Sequence, residues 1–354
     1  MSRSTVGTTR YAIPGKIDNE PIDAERRLIY ITDLDCWSIL ALVKTAPESL
    51  ASLLGDFLQK HICARASVSV SFASIGPPIF ALNFHMPFRV WRTSNELLRD
   101  KRIKKSNGKP LRTSHDVSFL MSSLATSESS EVHGIYAGHV ACMVSGRDKW
   151  RWTAHLAIDT WFDMDEDIPG KVMRYHYDLE ESGIELDPLS CGNDDAKLPI
   201  LDPRTYFLRI VGIRFSHIKG ESDLLFQNCN EGVTNLFQGQ KQLFSKLRPF
   251  SSGSDFEKHE GEFETLEKSL EELKEVLNES LDDLHETLKT VESFLSSEVY
   301  FFSNHNGQPG DASEFYPFLS NIRGDFNELA RLFGFFNSLK DKCDDMMENC
   351  KIMI

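Results

Sequence analysis

The chain has 354 residues, 41% of them apolar and 26% charged, with a formal net charge of −14. This is enough apolar material for a sizeable core in one or two domains. No stretch approaches the ~20 uninterrupted apolar residues of a membrane-spanning helix, and no membrane partner is expected. Met1 to Gly15 is Ser/Thr-rich and lacks the apolar centre of a secretory signal, so the expected compartment is the reducing cytosol. Seven cysteines at positions 36, 63, 142, 191, 229, 343 and 350 form no CxxC pair, which disfavours a disulfide framework or a zinc cluster.

Along the chain, residues 1–25 read as a flexible leader, 26–250 as an α/β body and 255–354 as a long acidic helical hairpin. Leu28 to Ile31 is a short apolar run. Leu40, Leu50, Leu53, Leu54, Phe57 and Leu58 recur at helical spacing, interrupted by Pro47. Val68, Val70 and Phe72 alternate with Ser67, Ser69 and Ser71, the period of a half-buried strand. Ile79 to Trp91 and His139 to Ser145 are further strand candidates, the second turned by Gly146-Arg147-Asp148. Residues 122–130 are Ser-rich, Trp150 to Phe162 is dense in aromatics, and 163–167 and 178–197 read as loops. An apolar helix is expected over Tyr206 to Ile218.

In the last third, Leu266, Leu270, Leu273, Leu277, Leu281, Leu284, Leu288, Val291 and Leu295 recur every three or four residues, an amphipathic helix with a continuous apolar seam. An Asn/Gly-rich loop over 304–312 follows. Leu332, Phe336, Leu339, Cys343, Met346 and Cys350 then predict a second helix of matching seam. The expected class is α+β: a mixed α/β N-terminal body followed by two long antiparallel helices.

Charge is segregated. Asp255 to Glu298 holds fifteen Asp/Glu against four Lys, so the remainder of the chain carries only about −3. Arg89 to Arg112 holds nine Lys/Arg against Glu96 and Asp100. Such a segment, with Phe88 and Trp91 at its edge, can neutralise phosphates and stack on unpaired bases. It also reads as a solvated turn through Lys104-Lys105-Ser106-Asn107-Gly108-Lys109-Pro110.

Phosphate loops, dinucleotide fingerprints, HExxH and GxSxG are absent. What recurs is a carboxylate triplet, Asp-Asp-x-x-Glu, at Asp282, Asp283 and Glu286 and again at Asp344, Asp345 and Glu348. On a helix these acids lie within a turn of one another, where they could bind a guanidinium, accept a proton or share a divalent cation. Both copies also fall off the apolar seam, where a merely solvated acidic face is expected.

Gly146-Arg147-Asp148-Lys149-Trp150-Arg151-Trp152-Thr153-Ala154-His155, Asp159-Thr160-Trp161-Phe162-Asp163, Leu198-Pro199-Ile200-Leu201-Asp202-Pro203-Arg204 and Val299-Tyr300-Phe301-Phe302-Ser303 together resemble the fungal CorA-like proteins, over roughly residues 30–350. The membrane segments and Gly-Met-Asn signature of a magnesium channel are missing. Within that group the chain is most similar to the arginine-containing cyclodipeptide synthases, described by a DDxxE motif that both triplets satisfy. The resemblance implies an α/β body with long helices. It also implies an enzyme that condenses Arg-tRNA with a second aminoacyl-tRNA to release cyclo-Arg-Xaa. The tRNA ester is already activated, so no cofactor is needed. Asp344, Asp345 and Glu348, or secondarily Asp282, Asp283 and Glu286, would bind the guanidinium or act as base. Arg99, Lys101, Arg102, Lys104, Lys105 and Lys109 would meet tRNA phosphates. Two readings stay open beside it: a non-enzymatic helical interaction module, and divalent-metal sensing by the carboxylates.

Overall fold

The computed structural model describes residues 6–11, 26–73, 78–121, 131–163, 186–194, 200–247, 253–302 and 312–353. The expected leader contains a strand, β1 (Val6–Tyr11), while 1–5 and 12–25 lie outside the described residues. The Ser-rich stretch 122–130, much of the loops expected at 163–167 and 178–197, and most of the Asn/Gly loop also lie outside them.

The body is one sheet. Its strands are β1, β2 (Arg26–Thr32), β3 (Ser67–Phe72), β4 (Phe80–Ser94), β5 (Ser114–Asp116), β6 (Val132–Gly146) and β7 (Trp152–Ile158). They run in the order β1-β2-β7-β6-β4-β3, with β5 pairing β6 beyond the end of β7. Among the described strands only the β2–β7 pair is parallel. At Phe88 the ring lies across Gly138 of the paired strand, where a Cβ would meet Phe88 Cζ at 2.6 Å. A strand glycine there permits the close approach.

Alternation gives the sheet two buried faces. On one, Ile31, Ala81, Ala141, Met143 and Ala157 pack under α1 (Cys36–Thr45) and α2 (Ala51–Ile62). Asp35 caps α1 by accepting from the Ser38 N–H at 2.8 Å, and Pro47 separates the two helices. On the other face, Leu82, Phe84, Val140, Cys142, Val144 and Leu156 meet a bundle of long helices.

That bundle has three long members. The expected short helix at 206–218 is the start of α3 (Pro203–Leu247), which continues far beyond its apolar opening. It joins α4 (Gly253–Ser296) and α5 (Ala312–Met353). Asp202 starts α3 by accepting from the Arg204 and Thr205 N–H groups, ahead of a first-turn proline. The leucine seam is buried as expected: Leu270, Leu273 and Leu277 of α4 share the core with Phe336, Leu339 and Cys343 of α5 and with Phe207 and Phe215 of α3. The architecture is thus a mixed α/β sheet body followed by long C-terminal helices, with the sheet between a helix pair and a three-helix bundle.

Leu277 is fully buried. Leu277→Ala is therefore expected to lower the unfolding free energy by roughly 2–5 kcal/mol in a urea titration. Leu224→Ala, at an exposed position of α3, should change it by no more than about 0.5 kcal/mol.

Candidate functional site

The acidic triplets are on the outside of the bundle. In α4, Asp283 is the one member turned inward. It accepts from Arg89 Nε of β4 at 2.8 Å, while Arg89 Nη1 lies 2.8 Å from Glu279 one turn earlier. His115 Nε2 of β5 reaches the same Glu279 at 3.1 Å. Burial raises the Asp283 carboxyl more than Arg89 lowers it; Glu279 is lowered, chiefly by the His115 hydrogen bond. Asp282 and Glu286 are exposed. In α5, Asp344 pairs with Lys274 of α4, and Asp345 and Glu348 are exposed. Each copy thus supplies one acid to an inter-element latch and leaves two in solvent. The copies are not brought together, and the four cavities described for the chain are lined by none of the six carboxylates. Among the described residues no group of His, Cys, Asp and Glu is arranged to hold a metal ion.

The basic segment divides in two. Arg99, Lys101, Lys104, Lys105 and Lys109 are exposed, and 104–109 form a turn closed by Lys104 N–H to Lys109 O at 2.8 Å. Arg102 differs from them. Its guanidinium grips Asp100 and donates to Asp159 Oδ1 at 2.7 Å, so it is held inside the protein rather than offered to phosphates. Arg89, Arg92 and Arg112 are likewise committed to carboxylates.

Asp159 is the centre of a buried network that sequence reasoning missed. It lies just past β7 and accepts from Arg102 and from Arg112 Nε at 2.6 Å. Arg112 also donates to the carbonyls of His61 and Ile62 at the end of α2. His61, His85 and His139 are fully buried beside it. His61 Nε2 is 3.6 Å from Asp159 Oδ1, too long for a hydrogen bond, and His139 Nε2 is 3.4 Å from His85 Nδ1. Asp33 faces the same network and accepts from the Thr160 N–H at 2.8 Å. Burial opposes the Asp159 charge, but the Arg112 guanidinium, with Arg102, holds the carboxyl well below its usual range. Burial pushes Asp33 up to about 6 and keeps all three histidines below their ordinary value. The signal in the sequence is an aspartate within the aromatic-dense segment Trp150 to Phe162.

Between the sheet and α3 lies a cavity of about 190 Å³. Arg92 crosses its wall, bound to Glu221 through both Nη atoms and to Asp163 at 3.2 Å. His217, also in the wall, has Nδ1 at 3.6 Å from the Cys191 thiol. Cys191 sits at φ 57°, in a tight turn whose Asp187 side chain accepts from the Leu189 N–H and the Tyr206 hydroxyl. A non-glycine residue in that region is strained, a feature that clusters at functional sites. Burial raises the thiol and lowers His217, so the pair rests neutral.

No family model matches the chain, and a comparison with curated proteins gives no match. The solved structures that resemble it distantly include these two. The cytoplasmic domain of ZntB from Vibrio parahaemolyticus is 10% identical, with 94% of this chain and 91% of that one covered at a TM-score of 0.39. The CorA magnesium transporter from Methanocaldococcus jannaschii is also 10% identical, covering 99% of this chain and 79% of that one at 0.40. At such scores the functional reading rests on the chain's own residues. No helix among the described residues is long and apolar enough to cross a membrane.

The buried histidines set a pH dependence. Each binds a proton in the unfolded chain near pH 6.5 and refuses it when folded, so stability is lost as pH falls below that value. His155, pushed down to about 4, alone accounts for about 3 kcal/mol across that interval. Asp33 acts in the opposite sense, because its folded form holds a proton up to about 6 that the unfolded form has released. Urea titrations from pH 7 to 4.5 should show stability falling with acidification, and His155→Gln should flatten the slope. Asp159→Asn, which strands the buried Arg112 guanidinium and leaves Arg102 with Asp100 alone, should cost about 3–5 kcal/mol at pH 7.

Proposed function

We propose that the chain acts as a helical interaction module, presenting one face of α4 to a basic partner. The observation that carries this reading is the spacing of exposed acids on that helix. Glu264, Glu271, Glu275, Asp282 and Glu286 follow one another by seven, four, seven and four residues, and all five are exposed. At 3.6 residues per turn they form one stripe about 33 Å long. Lys268 is the exposed cation within it, and Lys289 lies beyond its end. Glu279 and Asp283, turned to Arg89, seat the neighbouring face on the sheet. A surface of this form favours Lys- or Arg-rich segments by charge complementarity, which acts on association rate and specificity and weakens with salt. The split of both triplets between latch and solvent is the arrangement expected of such a surface rather than of a catalytic centre.

A second reading, tRNA-dependent cyclodipeptide formation, is favoured by different residues from those first expected. The Cys191 thiol beside His217 is a nucleophile next to a base, the pairing an aminoacyl-enzyme would need. Five exposed cations, from Arg99 to Lys109, offer phosphate contacts.

Two experiments separate these readings. Fluorescence titration with a Lys/Arg-rich peptide should show saturable, salt-sensitive binding. Glu271→Lys/Glu275→Lys/Asp282→Lys should weaken it at least tenfold, about 1.4 kcal/mol, with an unchanged circular dichroism spectrum. Equal binding by that variant, or none by the native chain, overturns the module reading. Incubation with arginyl-tRNA and other charged tRNAs should yield no cyclo-Arg-Xaa by mass spectrometry. Product that appears with the native chain and vanishes with Cys191→Ala would establish the enzyme instead.

A further inference from the structure

The face of the sheet beneath α1 and α2 carries more than the histidine network. Strand register places Arg27, Thr153 and Ser145 in one cross-strand row, and Ile29, His155 and Met143 in the next. Over these rows opens a cavity of about 600 Å³. The connection from α1 to α2, around Pro47 and Ser49, forms a second wall, and the β6–β7 turn adds Arg147 and Arg151. Among the described residues, three guanidiniums line the space and no carboxylate does. Asp148 pairs with Arg151 at 3.2 Å but is not part of the lining.

The arginines alone would describe a cationic patch. A second observation points to a ligand. His155, in the sheet floor, is 5% exposed, and among the described residues its Nδ1 has no hydrogen-bond partner. A buried polar atom without a partner costs about 1–3 kcal/mol, so its presence in a cavity wall calls for something to meet it. Because burial keeps the ring uncharged near neutral pH, it serves as a neutral hydrogen-bonding group, and the charge of the site comes from the arginines.

We propose that this cavity binds a small organic polyanion, a metabolite carrying phosphate or carboxylate groups, held by Arg27, Arg147 and Arg151 with His155 meeting a polar atom at the floor. The volume lies within the range of small-molecule sites. Guanidinium forks match both oxyanion types bidentately, so the two sources share one recognition chemistry. The site is on the opposite side of the sheet from the bundle and does not depend on the α4 surface for its occupancy.

Calorimetric titration of the full chain with pyrophosphate and, separately, with citrate tests it. Saturable one-to-one binding of at least one probe is expected. A preference for pyrophosphate assigns the ligand to phosphates, and a preference for citrate assigns it to carboxylates. Arg147→Gln/Arg151→Gln, two exposed positions whose change should leave the fold intact, should weaken binding at least tenfold. Arg323→Gln/Lys342→Gln, an equal charge change on α5, should leave it unaltered. No saturable binding of either probe below about 10 mM would overturn the proposal. So would undiminished binding by the first variant, or equal weakening by the second, which would mean general surface charge.

Discussion

One ionised carboxylate organises the part of the molecule that hydrophobic burial leaves underdetermined. Asp159 lies at the end of β7, fully buried, and draws two guanidiniums to itself from sequence positions 47 and 57 residues away. An isolated charge at that depth would cost several kcal/mol, and its cost is offset only because both guanidiniums arrive with good geometry. Arg112 then spends its remaining donors on the last carbonyls of α2, which fixes that helix end against the sheet. Arg102 draws in the segment before the basic turn, with Asp100 as its second partner. The three neighbouring histidines stay neutral because the local charges already balance and burial forbids another.

The bundle is held differently. Its packing against the sheet comes from aromatic and aliphatic burial, which is strong but poorly directional. Arg89 supplies direction. By meeting Glu279 and Asp283 at i and i+4 on α4, it selects the rotation of that helix about its axis. The acids at 264, 271, 275, 282 and 286 must then project to solvent. The latch contributes less to stability than the core beneath it, because its acids are partly exposed and screened. Its effect is on which face of α4 the protein displays.

Much of this was legible in the chain. The leucine seam of α4 and its counterpart in α5 were plain, since period and burial coincide over many turns. Alternation and aromatic content point to β3, to most of β4 through Ile79 to Trp91, and to only the second half of β6 through His139 to Ser145. The third long helix is legible only at its apolar start, because beyond Ile218 its buried residues, such as Leu225, Cys229 and Val233, are separated by polar stretches. β1 was hidden by Ser/Thr-rich composition and is recognised only through its pairing with β2. The candidate site was less legible still. An Asp-Asp-x-x-Glu pattern reports which acids share a helix face. It does not report which of them finds a cation on another element, and Arg89, Lys274, Asp283 and Asp344 were joined by the fold alone.

Net charge is consequently a poor guide to what this protein attracts. A chain at −14 would repel anions if its charge were spread evenly. Most of the excess is confined to α4, while the rim of the sheet cavity holds three guanidiniums on the far side of the β-layer. With charge interactions screened over about 8 Å at physiological salt, a ligand at that rim responds to the arginines and scarcely to the distant acids. A basic partner approaching α4 responds to the converse field. The sheet therefore separates two electrostatic environments of opposite sign, and added salt should weaken association at both, because each is governed by its nearest charges rather than by the total.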